Sequence, residues 1–514
     1  MKAISNGKRI AKNTLFLYFR MLLLMLVSLY TSRLVLNKLG VIDFGIYNVV
    51  GGIVAMLGFL NSAMANAVQR FLSFEIGKGN NNRVNHIFNV ALFAHFCIAG
   101  IVFVLMEVLG VWYLNTYMNI PLERLSAANW VLQCSILTTL FSIIQVPYNA
   151  IIIAKEQMSI YAYISILEAF LKLAIVYLLY IGNFDKLKLY SVLMTLVTIV
   201  ILLLYRIYCV KKYSEARSRW VRDYKTLKDI SGFAGWNMFG ELAWVFTGQG
   251  VNIVLNLFFG PSVNAARGLS DQVNGAVYRF INNFQTAVNP QLVKDFAMDR
   301  LDEMKSLLYK STRFSYYLML ILSLPLIFDM NIILQIWLDN VPKYTTEFCQ
   351  LILICSLVST ISNLFSQVAR AYGKIRRYQI FVSLFLFLNF PLSYLLLSIG
   401  ASPLSTVAVN IAIQFLLLLV RLYFANKMIN LSILEFVKKV LLPIMKVTVI
   451  SLIFPLVCLF GIEDENLMYI SVFIVSLFFT AISVWLVGLE AGEKVLARDL
   501  IFSVVRKLKS KIRE

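Results

Sequence analysis

The sequence predicts an all-α integral membrane protein of about fourteen transmembrane helices. They form two six-helix bundles related by a pseudo-two-fold axis along the membrane normal, plus an extra C-terminal helix pair. Three observations predict this. The 514 residues are 60% hydrophobic and 14% charged, with a mean hydropathy of +0.76, whereas a soluble chain is roughly half apolar and a quarter charged. Apolar runs near the ~20 residues needed to cross ~30 Å of hydrocarbon begin near residues 14, 45, 87, 125, 158, 187, 231, 262, 312, 346, 377, 402, 441 and 466. The loops between them alternate between strongly basic and nearly uncharged.

Taken in order, the basic segment Met1–Lys12 runs straight into the first apolar stretch without a small-residue cleavage site, which predicts a retained first span. Basic loops then follow every second span. They are marked by Arg70, Lys78 and Arg83; by Lys155; by residues 206–228; by residues 294–313; by residues 370–377; by residues 421–446; and by the tail from Lys494. Of the 47 Lys and Arg residues, 37 fall on this side; only Lys38, Arg124, Lys186, Lys188 and Lys343 fall on the other. Arg20, Arg33, Lys172, Arg267 and Arg279 lie within spans. The positive-inside rule places both termini in the cytoplasm and makes the span number even. One miscounted span would invert every later loop and erase the contrast. The net charge of +20 is therefore a topology signal and not a sign of nucleic-acid binding.

The two halves resemble each other at an offset of about 220 residues: Leu39-Gly40-Val41-Ile42 corresponds to Phe259-Gly260-Pro261-Ser262, and Cys134-Ser135-Ile136-Leu137 to Cys355-Ser356-Leu357-Val358. Six spans per repeat is an even number, so both copies share one orientation. The expected organisation is an N-terminal lobe (1–210), a basic cytoplasmic linker (211–230), a C-terminal lobe (231–430), an additional helix pair (431–490) and a basic cytoplasmic tail (491–514). Residues 291–310 read as an amphipathic interfacial helix, and the tail as a contact for anionic headgroups.

Polar residues inside the spans mark candidate sites. On the eighth span Arg267, Asp271, Asn274, Tyr278, Asn282, Gln285 and Asn289 recur at steps of three and four, one continuous stripe at about 100° per residue. Lipid cannot solvate such a stripe, so it faces protein or water. Asn237, Glu241 and Trp244 on the seventh span, Asn48 and Asn66 on the second, and Tyr161, Glu168 and Lys172 on the fifth make similar faces. Charged residues within spans by default line a cavity that handles an ionic partner. Arg20 and Arg279 have no acidic neighbour on their own helix, while Lys172 and Arg267 stand four residues from Glu168 and Asp271 and can be neutralised locally. Single Asn and Gln side chains also serve simply to join helices. Arg33, near an outer end, can snorkel to the interface.

Other chemistries are not signalled. No GxxxxGK[ST], HExxH or GxSxG motif is present, and no metal-ligand cluster. The six cysteines lie in or beside apolar runs and read as small buried hydrophobes; His86 and His95 read as structural. The expectation is a non-enzyme without cofactor or metal.

The segment Leu39-Gly40-Val41-Ile42-Asp43-Phe44-Gly45-Ile46-Tyr47, with Gln69-Arg70-Phe71 and Glu75-Ile76-Gly77, resembles the polysaccharide transport family. That family, with the Wzx-type O-antigen flippases, belongs to the multidrug/oligosaccharidyl-lipid/polysaccharide (MOP) exporter superfamily. The resemblance covers nearly the whole chain and implies a flippase of a bacterial plasma membrane. It would move undecaprenyl-pyrophosphate-linked oligosaccharide repeat units from the inner to the outer leaflet, alongside polysaccharide polymerases and glycosyltransferases. A multidrug or metabolite exporter of the same superfamily and a lipid II flippase are the alternatives. Lipid II flippases use arginines on their first and eighth helices, which implies roles for Arg20 and for Arg267 or Arg279. On this reading Arg20, Lys172, Arg267 and Arg279 meet phosphate, and Asn66, Asn274, Tyr278, Tyr161 and Trp244 meet sugar. Glu168, Asp271 and Glu241 are the candidates for proton or sodium coupling, with the membrane potential as a further drive.

Overall fold

A computed structural model describes residues 2–77, 80–155, 157–179, 184–217, 223–372, 376–461, 464–494 and 498; the side chains of residues 2–20 and of scattered later positions fall outside the described residues. Every regular element among the described residues is helical, as expected. In chain order these are α1 (Lys2–Ala55), α2 (Gly58–Gly77), α3 (Asn81–Leu105), α4 (Val111–Thr116), α5 (Leu125–Ala154), α6 (Met158–Leu178) and α7 (Lys186–Lys212). Then come α8 (Tyr224–Val245), α9 (Val251–Phe259), α10 (Pro261–Ala297), α11 (Leu301–Phe328), α12 (Met330–Trp337), α13 (Thr345–Ser362) and α14 (Phe365–Tyr372). The last are α15 (Arg376–Phe387), α16 (Asn389–Ser398), α17 (Ser405–Ile429), α18 (Ile433–Phe436), α19 (Leu442–Gly461) and α20 (Glu465–Ser483). π-Turns at Met106–Gly110, Phe246–Gly250 and Val437–Leu441 fuse α3 to α4, α8 to α9 and α18 to α19, and a fourth at Val484–Gly488 extends α20.

Ten helical segments among the described residues are long and apolar enough to cross a membrane, from Met21–Ala55 to Met468–Gly488. The chain is a multi-pass membrane protein. α10 is not among the ten, because its polar stripe dilutes the apolar content that lipid requires.

Local sequence sets the breaks. Gly40 interrupts α1 at φ 81° and Gly260 separates α9 from α10 at φ 74°. These two glycines occupy equivalent positions of the repeat, and both need the positive φ that a side chain resists. Helix starts are capped by acidic and amide side chains. Asp185 accepts from the Leu187 and Lys188 amides of α7 at 3.1 and 3.2 Å, and Asp223 from the Lys225 and Thr226 amides of α8 at 3.0 and 3.1 Å. The expected surface helix over residues 291–310 is not found. Asp299, at φ 57°, ends the turn after α10, and α11 starts at Leu301. Met304 and Leu308 are buried there, so the apolar face predicted to meet lipid packs within the protein.

The chain forms two compact units, one of Met1–Gln272, Trp337–Phe348 and Gln379–Asn410, the other of Val273–Ile336, Cys349–Tyr378 and Ile411–Glu514. In the first, Ile46, Val49, Val50 and Ile53 of α1 share a core with Val131, Leu132 and Ile136 of α5. Arg124 donates to Asp43 (Nε–Oδ1 2.7 Å) and to Asp185 (Nη1–Oδ2 2.8 Å). Arg33 pairs with Asp339 at 2.7 Å, and Trp337 Nε1 donates to the Leu29 carbonyl at 2.8 Å. Arg33 thus has a partner and does not merely snorkel.

In the second unit α11 packs on α19 and α20, whose rings Phe454 and Phe479 stack with centroids 3.7 Å apart. As expected for the added pair, Val449, Val457, Ile470 and Phe478 are left exposed. Arg313 and Arg421, which the sequence groups with the basic loops, lie inside α11 and α17. Arg313 is only 3% exposed and holds Glu490 at 2.8 Å and Glu493 at 2.6 Å. A buried cation requires such pairing.

Candidate functional site

The stripe on α10 is the starting point. Its first two members belong to the first unit. Arg267 is buried, its Nε 3.4 Å from an Asp271 carboxylate oxygen and its guanidinium carbon 5.9 Å from the Phe348 ring centre. This cation is therefore matched by a charge on its own helix and an aromatic face.

Beyond Gln272 the stripe meets α13 and α14 within the second unit. Asn274 Oδ1 accepts from Ser356 Oγ at 2.7 Å. One turn on, the Tyr278 hydroxyl accepts from Asn363 Nδ2. Asn363 sits where the helix breaks between α13 and α14, and its Oδ1 and the neighbouring Ser362 Oγ accept from Arg421 Nη1 at 3.1 and 2.7 Å. The break is thereby held from two sides, by Tyr278 of α10 and Arg421 of α17.

Below this joint lies a cavity of about 380 Å³. α10 contributes Tyr278, Asn282, Gln285 and Asn289; the α13–α14 break and α14 contribute Asn363, Ser366, Gln367 and Arg370, with Leu364 the apolar lining residue. Among the described lining residues there are five amides, two hydroxyls, one guanidinium and no carboxylate. Gln285 Nε2 and Asn289 Oδ1 are buried without a hydrogen-bond partner among the described residues. A buried donor and a buried acceptor thus stand one helical turn apart in the wall. Leaving each unsatisfied costs ~1–3 kcal/mol, and a ligand hydroxyl, which both donates and accepts, suits the pair.

The other expected site residues are distributed as follows. Lys172 on α6 forms an ion pair with Glu168 at 2.6 Å, both side chains more than a third exposed. Arg279 is exposed and makes no hydrogen bond or ion pair among the described residues, and it is not among the cavity lining. Asp271 is half exposed and paired to Arg267. Arg20, Asn66, Tyr161, Glu241 and Trp244 have side chains outside the described residues. Of the expected substrate ligands, the structure joins Asn274 and Tyr278 to one wall, and Tyr278 lines the cavity. His86 bonds Asp223 at 2.7 Å and His95 the Ala91 carbonyl at 2.7 Å, both structural roles. The Asp223 carboxyl is held well below the usual range by hydrogen bonds from the Thr226 hydroxyl and from His86.

Sequence reasoning missed Asn363, Gln367, Arg370 and Arg421. The signal for the first three was present: Ser356, Ser359, Asn363, Gln367 and Arg370 also recur at steps of three and four.

The MatE family description matches residues 17–178 and again 238–395, two stretches offset by about 220 residues, the offset of the internal repeat. No curated protein sequence matches the chain. Among solved structures, the inward closed conformation of the lipid II flippase MurJ is similar with a TM-score of 0.68 at 12% identity, covering 95% of this chain and 99% of that one. An inward-facing multidrug resistance MATE transporter of the MOP superfamily is similar at 0.67 and 12% identity, covering 79% of this chain and 96% of that one. A MOP superfamily transporter from Pyrococcus furiosus, described as having a binding pocket of reverse polarity, is similar at 0.58 and 11%, covering 80% and 95%. These likenesses show a MOP-type transporter fold. With one family description fitting two stretches that make up more than half of it, the chain belongs to the MatE family.

Proposed function

We propose that this protein is a flippase for oligosaccharide units linked to undecaprenyl pyrophosphate. It moves them from the inner to the outer leaflet of a bacterial plasma membrane by alternating access. The single observation that carries this reading is the cavity beside α10: amides, hydroxyls and Arg370 surround about 380 Å³ with no carboxylate among the described lining residues. Sugars present dense hydroxyls and phosphates present negative charge, and neither crosses hydrocarbon unaided. An amide-rich wall with a guanidinium supplies donors and acceptors to the first and charge-assisted hydrogen bonds to the second. A cavity for cationic drugs would instead place carboxylates in its wall. In this reading Arg20 and Arg279 remain candidates for contact with the phosphates, and the polyprenyl chain stays in lipid.

Of the acids expected to couple ions, Glu168 and Asp271 are engaged with Lys172 and Arg267. Glu241, the third candidate, has its side chain outside the described residues. Beside proton or sodium coupling, the membrane potential supplies drive in this reading, favouring outward movement of negative charge by ~2.3 kcal/mol per charge per 100 mV. The test is chemical. A strain lacking this protein should accumulate lipid-linked oligosaccharide on the cytoplasmic leaflet, and restoring the gene should clear it. Unchanged levels of the lipid-linked intermediate in the deletion strain would refute the assignment.

A further inference from the structure

Away from the α10 cavity, the second unit holds a cleft of about 290 Å³ whose wall is charged on both sides. α11 supplies Lys305, Tyr309 and Lys310; α18 and its π-turn supply Glu435 and Lys439; and Glu490 follows the π-turn that ends α20. The floor is Arg313, held by Glu490, Glu493 and the Lys439 carbonyl at 3.2 Å. Two π-turns, Val437–Leu441 and Val484–Gly488, flank the cleft, and such turns are frequent at functional sites.

The position and the leftover charges together identify a ligand class. Three membrane-crossing segments have an end here: Leu301–Phe328 and Ile433–Leu459 begin, and Met468–Gly488 finishes, within five residues of a lining side chain. The cleft thus opens at a boundary between lipid and water. On the α11 side two lysines, Lys305 and Lys310, stand beside one lining carboxylate, Asp302. Lys305 is 18% exposed and pairs with Asp302 at 3.5 Å, whose own side chain is 97% exposed, and its charge also acts on Glu435. Lys310 is exposed and has no ion pair among the described residues. Across the cleft, Glu435 (39% exposed) and Glu490 (55% exposed) keep accessible carboxylate surface although Lys439 and Arg313 hold them at 2.6 and 2.8 Å.

We propose that this cleft binds the headgroup of a zwitterionic phospholipid carrying a primary ammonium, its phosphodiester against Lys305 and Lys310 and its ammonium against Glu435 and Glu490. A purely anionic headgroup would set its charge against three carboxylates, Asp302, Glu435 and Glu490. A trimethylammonium headgroup has no N–H to donate to them. The Tyr309 hydroxyl donates to Glu435 at 3.5 Å and helps to hold that carboxylate in the wall. The site is separate from the α10 cavity and does not depend on what that cavity carries.

Native mass spectrometry of the full chain in detergent tests it, with dioleoyl phosphatidylethanolamine, phosphatidylglycerol and phosphatidylcholine offered in turn. The expected result is preferential retention of phosphatidylethanolamine. Retention falls roughly tenfold in a Lys305→Ala/Lys310→Ala variant, the worth of one charge-assisted hydrogen bond, and Glu435→Gln moves the preference toward phosphatidylglycerol. Arg313 is untouched in these variants, and an unchanged melting temperature confirms an intact fold. Equal retention of phosphatidylcholine overturns the proposal, as does undiminished phosphatidylethanolamine binding by the folded lysine variant. Displacement by free phosphoethanolamine or inorganic phosphate at concentrations matching the lipid would overturn the lipid assignment.

Discussion

Gln285 and Asn289 are where the proposed binding role can be separated from stability. Each buries a polar atom that nothing among the described residues satisfies, an arrangement that costs free energy unless a ligand completes it. Gln285→Leu should therefore hold or raise the melting temperature while lowering transport at least severalfold. A variant that loses stability and keeps transport would show that the amide is a packing element. Asp329, between α11 and α12, is a second such residue. It is 4% exposed with Oδ2 unpartnered, and burial pushes its carboxyl up from 3.8 to about 6. An acid raised in the folded state contributes stability that is complete below its unfolded value and lost as pH rises through the folded one. Asp329→Asn should thus stabilise the protein by about 1–3 kcal/mol at pH 7.5 and give no gain near pH 4, measurable as the pH dependence of the melting temperature. At this scale the sequence shows which residues are polar, not which are paired. The spacing of Lys172 from Glu168 and of Arg267 from Asp271 announced their ion pairs, because four residues is one helical turn. Arg33 with Asp339, and Arg124 with Asp43 and Asp185, join residues far apart in sequence, so no local pattern reveals them.

At the level of elements, periodicity carried the reading of α10. Its stripe runs unbroken from Arg267 to Asn289 inside a helix of 37 residues, and a 3.6-residue repeat of that length is hard to produce by chance. The facing stripe on α13 and α14 was harder to see, since it crosses a helix break and ends in Arg370, which looks like one more loop cation. The joint at that break is testable. Arg421→Leu removes both hydrogen bonds that hold Ser362 and Asn363. It should weaken substrate binding more than protein abundance, and Arg421→Lys should rescue only part, because an ammonium lacks the planar fork. Close helix approach is testable too. A Cβ on Gly45 would lie 1.8 Å from the Pro261 carbonyl oxygen, whereas one on Gly100 meets nothing within 4 Å. Gly45→Ala should lower the melting temperature by forcing α1 from the start of α10, at a cost of about 1–3 kcal/mol or more, and Gly100→Ala should not. Equal melting temperatures would contradict the close packing.

Over the whole molecule, the fold class was legible because a bilayer imposes it. Long apolar runs, satisfied backbones and charge bias are constraints on the entire chain, and composition alone nearly decides them. The repeat was legible for a similar reason: two copies of one pattern reinforce weak local signals, and Gly40 and Gly260 mark it in the backbone itself. The identity of the cargo is less legible, since it rests on a few side chains brought together by tertiary contacts. In the proposed function the cavity beside α10 recognises a phosphorylated glycan. The most direct measurement is the leaflet distribution of the lipid-linked oligosaccharide in a deletion strain complemented with wild type or with Arg370→Ala/Gln285→Leu expressed at equal membrane levels. Wild type should clear the intermediate from the cytoplasmic leaflet and the double variant should leave it there. Full clearance by the double variant would rule out that role for the cavity.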